Sequence, residues 1–377
     1  MELTENKQIK QEKIKEIQLK LKKYIQPFEK ILAYEELKVL TKLNDENYIP
    51  SFEKEADETV TVSTKTALTT LQEHLSYWER IGVNELYPSL QVVYEMSPDN
   101  LFNVDEQILL NNAYESYPKN RKLRYGVHDL HEYRGKFFPQ LVKSLINISG
   151  VSKKSLVLDP FGGSGTTCVE ANVLGMESIA MDLNPLSVKI SRIKTEILRV
   201  DGDIIYNEAI NLIESLENPL INPPEEQWSE KDLAYLKLWF DPQALIEVSN
   251  IIKAIDCCEN KTIKEFFQIC LSNIIRSVSW QKESDLRVRK EITVFESGTA
   301  YTLFINEVKR QVDKLIPYLE IVKQKAELGS TKIIEGNTKE VCTIFKENVG
   351  KCNVLITSPP YATALPYLDT DRLSLIV

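Results

Sequence analysis

The run Ser358-Pro359-Pro360-Tyr361 follows the apolar segment 353–357 directly and carries the clearest chemistry of the chain. Two prolines fix the backbone and donate no N–H groups, so the carbonyls around Ser358 and Pro359 stay available as acceptors. Acceptors aimed at the hydrogens of an exocyclic base amine favour its pyramidal, nucleophilic form, because the lone pair is otherwise conjugated with the ring. Tyr361 offers an aromatic face to a base outside the duplex stack. The run predicts activation of a weakly nucleophilic amine; the alternative is a proline-stiffened loop.

A second run, residues 159–166 (DPFGGSGT), predicts a cofactor loop between a strand and a helix. The loop is neither GxGxxG nor followed by GK[ST], so a pyrophosphate is a poor fit and a nucleoside such as S-adenosylmethionine fits better. Asp182 ends the next predicted strand about 20 residues later, where a carboxylate accepts hydrogen bonds from ribose hydroxyls. A plain turn and, for Asp182, a helix N-cap are the alternatives. The candidate cofactor-binding residues of the loop are Asp159, Pro160, Phe161, Gly162, Gly163, Ser164, Gly165 and Thr166.

Composition excludes several other classes of protein. The 377 residues carry a net charge of −9, which argues against nonspecific coating of nucleic acid. With three histidines and six cysteines but no CxxC pair, the chain offers no metal site, and we expect free, mostly buried thiols. No Pro-Cys dipeptide occurs, so thiol addition to carbon 5 of cytosine is not supported. The charged N-terminus and the lack of a long apolar run predict a cytoplasmic protein without a membrane span.

Hydrophobic periodicity predicts an α/β protein with a parallel sheet. Strands are expected at 155–158, 178–182, 332–335 and 353–357. Residues 1–124 are expected to form an N-terminal helical region, in which 90–96 is the one convincing strand candidate. The remainder, 125–377, is expected to be one domain made of a cofactor half (125–197), a helical insertion (198–328) and a catalytic strand and loop (331–377).

Taken together, these motifs resemble the amino-methylating DNA methyltransferases, the N4-cytosine and N6-adenine enzymes of restriction–modification systems. The resemblance covers residues 125–197 and 331–377 and implies a Rossmann-like fold that uses S-adenosylmethionine. HEYRGKFFP resembles the family's cofactor motif before the glycine loop, and Asn337 stands where the family often has an acid facing the cofactor's adenine. These two places add His131, Lys136, Phe137, Pro139 and Asn337 to the cofactor-binding candidates.

The resemblance leaves the target base and the activity open. Serine at the first catalytic position is commoner in N4-cytosine enzymes, so Ser358 favours cytosine over adenine. An RNA base methyltransferase is a further alternative, although no RNA-binding module accompanies the motifs. Another alternative is a noncatalytic DNA- or partner-binding subunit that keeps the methyltransferase fold.

The family's seven-stranded sheet implies that the sheet of this chain is incomplete at its C-terminus, because only about four strands are countable. We therefore expect a fragment, or one half of an enzyme completed by a second polypeptide. The expected partners are double-stranded DNA, this second polypeptide and a cognate restriction endonuclease. Basic residues near Trp280 could contact DNA phosphates or form a solvated helix face; they are Arg276, Lys282, Arg287, Arg289 and Lys290.

Overall fold

A computed structural model describes residues 14–42, 52–54, 58–96, 120–133, 135, 137–282, 288–360 and 371–377. Of the predicted site residues, Lys136 and Tyr361 lie outside these ranges, as does Arg287. The chain divides into two compact units. The first comprises Met1–Val93, Asp105–Arg121 and Lys143–Gly150, and the second Tyr94–Val104, Lys122–Val142 and Val151–Val377.

The first unit is built on a five-stranded antiparallel sheet of order β2-β3-β1-β4-β5. Its strands are β1 (Lys15–Leu21), β2 (Phe52–Lys54), β3 (Thr59–Thr64), β4 (Trp78–Gly82) and β5 (Leu86–Pro88). The helices of this part of the chain are α1 (Pro27–Leu40), α2 (Leu68–His74) and α3 (Leu90–Met96). Alternate residues of β1, Ile17, Leu19 and Leu21, are buried in one core with Ala33 and Leu37 of α1. Burial on every second position gives the strand one apolar face.

The prediction of a helical N-terminal region is therefore wrong for the described residues. The sequence of β1, KEIQLKL, alternates apolar and polar side chains, and its backbone pairs with both β3 and β4. Ile14, Ile17 and Leu21 also lie three or four residues apart, so this short run fits the helical period as well as the strand period. Pairing with the neighbouring strands selects the strand. The strand candidate at 90–96 is wrong in the opposite sense, because it forms α3.

The second unit contains a four-stranded parallel sheet of order β8-β7-β6-β9, which confirms the α/β prediction and its strand count. The strands are β6 (Leu156–Asp159), β7 (Glu177–Asp182), β8 (Thr331–Glu335) and β9 (Val354–Leu355). Helix α4 (Pro139–Ile148) precedes the sheet, α5 (Thr166–Val173) joins β6 to β7, and α6 (Pro185–Glu196) follows β7. In the register of the sheet, Leu158 pairs with both Ile179 and Leu355. The carboxyl ends of β6, β7 and β9 therefore lie at the same edge.

Helices fill the chain between β7 and β8, in agreement with the predicted insertion. They are α7 (Gly202–Ser215), α8 (Pro224–Gln227), α9 (Glu230–Leu236), α10 (Pro242–Asp256), α11 (Lys261–Ile274) and α12 (Thr299–Lys325). The buried Glu247 of α10 accepts hydrogen bonds from the backbone N–H groups of Gly298 (2.6 Å) and Ala300 (3.0 Å) at the start of α12. A carboxylate there complements the positive end of the helix. Two short helices, α13 (Val341–Ile344) and α14 (Arg372–Ile376), lie in the remaining chain.

No helix among the described residues has the length and apolar character needed to cross a membrane.

Candidate active site

A cavity of about 470 Å³ opens at the carboxyl edge of the parallel sheet. Ligands bind at this edge in open α/β sheets. It brings together residues from the two predicted motifs, which are about 200 residues apart in the sequence. The predicted site residues that line it are Phe137, Asp159, Phe161, Gly162, Gly163, Ser164, Thr166, Asp182, Asn337, Ser358, Pro359 and Pro360.

The first half of the glycine loop lies directly on the end of β7. The Gly162 N–H donates to the Met181 carbonyl at 2.8 Å, and a Cβ at Gly162 would come within 3.2 Å of the Ala180 Cβ. Gly163 adopts a positive φ of 50°, which favours glycine. These two glycines let the loop backbone form part of the cavity wall.

Gly165 has a different role from the one predicted, because it does not line the cavity. It adopts a φ of 77° as the N-cap of α5, and a Cβ there would lie 2.8 Å from the Cα and Cβ of Ser191. Ser191 in turn donates its hydroxyl to the Gly163 carbonyl at 2.7 Å. The absence of a side chain at Gly165 allows α5 and α6 to approach closely, which supports the loop from behind.

Asp182 ends β7 with both carboxylate oxygens bound to backbone N–H groups. Oδ2 accepts from Gly163 and Oδ1 from Asn184, each at 2.9 Å. The N-cap of α6 is Asn184, whose Oδ1 accepts from Leu186 N, so the capping alternative for Asp182 does not apply. Burial raises the pKa of Asp182, and the N–H groups of Asn184 and Gly163 oppose that rise. The carboxylate is held in place at the cavity wall with lone pairs left for a ligand.

A hydrogen bond joins the cofactor loop to the predicted catalytic loop. The Thr357 hydroxyl donates to Asp159 Oδ1 at 2.8 Å, and the Phe161 N–H donates to the same oxygen at 3.1 Å. Asp159 is only 3% exposed, and burial raises its pKa. Thr357 immediately precedes Ser358, so this contact sets the position at which the catalytic run leaves β9.

Three further predicted residues make contacts other than cavity lining. The half-buried His131 places Nε2 3.0 Å from the Ser272 hydroxyl, and burial of the ring lowers its pKa to about 3. Pro139 begins α4, and the Pro160 carbonyl accepts the Thr338 hydroxyl at 2.6 Å. None of the three lines the cavity.

Asn337 lines the cavity and also caps the short helix that follows β8. Its Oδ1 accepts from the Lys339 N–H at 3.1 Å. A side-chain amide has two donors besides this acceptor. The NH₂ group of Asn337 is therefore the part of the side chain suited to a ligand acceptor such as a purine ring nitrogen.

Sequence reasoning missed several residues of the cavity wall: Tyr133, Gly135, Thr167, Leu183, Asn184, Thr338 and Lys339. Tyr133 lies inside the HEYRGKFFP motif, and its ring packs where a Cβ at Gly163 would lie. The HEYRGKFFP motif and the position directly after Asp182 are sequence signals from which Tyr133, Gly135 and Leu183 could have been predicted. Thr338 and Lys339 had none beyond their closeness to Asn337.

The thiols and possible metal ligands add nothing to this site. No cluster of His, Cys, Asp or Glu that could hold a metal ion occurs among the described residues. All six cysteines are free, but only Cys168 and Cys270 are buried, so the expectation of mostly buried thiols is wrong. Burial raises the pKa of Cys168 to about 12, so this thiol is no nucleophile at neutral pH.

The two motifs lie at one edge of the parallel sheet, and comparisons with known proteins bear on the family of the chain. A family model for DNA methylases matches residues 5–192. The match and the relatives described below support an amino-methylating DNA methyltransferase family of the restriction–modification type for this chain.

Two curated relatives are similar over most of this chain. They are the Type II methyltransferase M.MjaII of Methanocaldococcus jannaschii, 24% identical over 64% of this chain and 60% of its own length, and the Type II methyltransferase M.MvaI of Kocuria varians, 24% identical over 70% and 60%. The chain thus spans 60% of the length of each relative. A solved structure, a possible methylase from Clostridium difficile 630, aligns with 14% identity and a TM-score of 0.25 over 49% of this chain and 72% of its own, which is too weak to bear on the fold.

Proposed function

We propose that this chain binds S-adenosylmethionine and transfers its methyl group to an exocyclic base amine of double-stranded DNA, most specifically N4 of cytosine. One observation carries the proposal. The register of the parallel sheet places Asp182 and the Ser358–Pro360 loop on the same cavity of about 470 Å³. Cofactor and target base need to meet in one enclosed site for methyl transfer.

The residues of the cavity fit a nucleoside cofactor that carries an amino acid group. The buried hydroxyls of Ser164 and Thr166 have no hydrogen-bond partner within the described part of the chain, and both residues line the cavity. A bound polar ligand would satisfy them, as buried hydroxyls require. Asp182 would accept the ribose hydroxyls and Asn337 would donate to the adenine. The bound cofactor supplies an electrophilic methyl group on a sulfonium.

The catalytic loop supports the second half of the proposal. Ser358 is partly exposed, and Pro359 and Pro360 are exposed where they line the cavity. The carbonyls of this loop accept the hydrogens of the base amine and so direct its lone pair at the methyl group. Neither proline competes for those carbonyls with an N–H group of its own. The stacking role of Tyr361 stays a prediction from the sequence.

The choice of cytosine rests on Ser358 alone, so N6 of adenine is the second candidate. Nucleoside analysis of the methylated DNA separates the two bases.

A partner that covers the sheet edge is part of the proposal. Strand β9 has two residues and forms one edge of the sheet, and Leu355 is 58% exposed on it. An open strand edge favours association with another polypeptide. The cognate endonuclease stays a prediction from the sequence.

Cofactor affinity tests the assignment of the cavity. We expect Asp182→Ala to weaken S-adenosylmethionine binding by about 1.5 to 3 kcal/mol, because the hydrogen bonds to a charged carboxylate are lost. Asp313→Ala removes an exposed carboxylate of α12 and serves as the matched control with unchanged affinity. Isothermal titration calorimetry measures both. Equal affinity of Asp182→Ala and the unaltered chain would overturn the cofactor assignment.

A further inference from the structure

Both polar atoms of the Asn184 side chain form hydrogen bonds. Its Oδ1 accepts the Leu186 N–H at 3.0 Å and thereby caps α6, while its Nδ2 donates to Asp371 Oδ2 at 3.1 Å. Its backbone N–H donates to Asp182 Oδ1 at 2.9 Å. Asn184 is 4% exposed and lines the cavity. One buried residue therefore touches the predicted ribose-binding acid and a residue 187 positions away in the sequence.

Asp371 is fixed at the start of α14. Besides Asn184, its carboxylate has Arg276 at 3.6 Å from Oδ1, and its side chain is 18% exposed. The next residue, Arg372, holds its guanidinium 4.3 Å from the centre of the Tyr235 ring. These contacts attach the first turn of α14 to the start of α6, to the chain after α11 and to α9.

Two of these hydrogen bonds form a continuous path from Asp182, on the cofactor side of the site, to the residue at which α14 begins. Asp182 fixes the backbone of Asn184, the amide of Asn184 fixes Asp371, and Asp371 begins α14. A hydrogen bond to an ionised acceptor is stronger than one between neutral groups, and partial burial strengthens it further.

We propose that Asn184 and Asp371 are positioning residues that couple occupation of the cavity at Asp182 to the ordering of α14. This inference rests on the proposed function for the identity of the ligand, S-adenosylmethionine. A ligand hydrogen-bonded to Asp182 restricts the turn that contains Asn184. The restriction passes to Asp371 because the two side chains share one hydrogen bond.

An exchange of the two side chains isolates this contact. Asp is as good an N-cap as Asn, so Asn184→Asp keeps α6 capped. It places two acceptor-only carboxylates against each other and breaks the bond to Asp371. Asp371→Asn leaves an amide pair that still bonds, and the double variant Asn184→Asp/Asp371→Asn restores the bond with the donor on residue 371. The double variant also keeps the added charge beside Asp182, so it controls for any direct effect of that charge on the ligand.

Hydrogen–deuterium exchange of residues 371–377, with and without saturating S-adenosylmethionine, tests the coupling without an activity assay. We expect the cofactor to slow exchange there by about fivefold or more in the unaltered chain, the low end of common coupling energies. The effect disappears in Asn184→Asp and returns in the double variant. Asn184→Ser keeps a capping oxygen on a shorter side chain but lacks the Nδ2 amide that reaches Asp371. It should behave as Asn184→Asp does and guards against misfolding of that variant.

The outcomes separate this inference from the proposed function. Binding of S-adenosylmethionine with no slowing at 371–377 in the unaltered chain, or equal slowing in Asn184→Asp, overturns the coupling and leaves the proposed function standing. A double variant no better than Asn184→Asp overturns the assignment to this contact. Failure of the unaltered chain to bind the cofactor in calorimetry overturns the proposed function and the coupling together.

Discussion

Replacing Thr357 by valine removes the hydroxyl that joins the two halves of the site and changes the side-chain shape little. Asp159 then keeps the Phe161 N–H at 3.1 Å but loses the Thr357 donor at 2.8 Å. The carboxylate remains 3% exposed, so water replaces the lost donor poorly. A hydrogen bond to a charged group contributes roughly 1.5 to 3 kcal/mol. We expect the free energy of unfolding to fall by about that amount.

The same change loosens the point at which the chain enters the catalytic loop. A misplacement of about 1 Å costs on the order of 100-fold in rate, because the amine and the methyl group need close alignment. We therefore expect methyl transfer by Thr357→Val to fall by about two orders of magnitude, while cofactor affinity changes much less. Loss of the donor also raises the pKa of Asp159 further, since the Thr357 hydroxyl favours its ionised form.

Urea unfolding and the rate of methyl transfer measure the two effects of Thr357→Val. Thr357→Ser is the matched control, because it keeps the hydroxyl and should retain both stability and rate. Thr357→Val that matches the unaltered chain in unfolding midpoint and in transfer would refute the positioning argument. A loss of stability with full activity would show that the Thr357–Asp159 hydrogen bond stabilises the fold but does not position the catalytic loop.

Two further predictions concern the stability of the fold. Gly165→Ala should lower the free energy of unfolding in urea by about 2 to 4 kcal/mol, because a Cβ would meet Ser191 at 2.8 Å and φ is 77°. Gly350→Ala is the control: φ is 76° but no atom lies within 4 Å of a Cβ, so only the cost of the backbone conformation should appear. His131 stays neutral in the fold down to its pKa of about 3 but takes a proton in the unfolded chain below about 6.5, so stability should fall as pH drops between these values. His131→Gln should flatten that loss, and an unchanged pH profile of the unfolding midpoint would contradict it.

The sequence predicted the parts of the fold in which local pattern and chemistry agree. Three short predicted strands are followed by DPFGGSGT, by Asp182 and by SPP. Because parallel strands bring their carboxyl ends together, this pattern predicted the parallel sheet and the edge at which the cavity lies. The N-terminal sheet was missed because Lys15–Leu21 is compatible with both helical and strand periods, and its partners β3 and β4 lie far along the chain.

The contacts that position the site were beyond sequence reasoning for a physical reason. Thr357 and Asp159 are 198 residues apart, and Asn184 and Asp371 are 187 apart. No local spacing encodes such pairs, since they form only when the sheet order and the loops are fixed. The same holds for Gly165, whose glycine is required by the neighbouring helix rather than by a ligand.

Transfer of labelled methyl groups from S-adenosylmethionine to unmodified genomic DNA, followed by nucleoside analysis, tests the central claim most directly. The account predicts label in N4-methylcytosine with the unaltered chain and about two orders of magnitude less with Thr357→Val, which should still bind the cofactor. Label in N6-methyladenine would contradict the assignment of the base. Cofactor binding without any label in DNA would contradict the proposed activity of this chain.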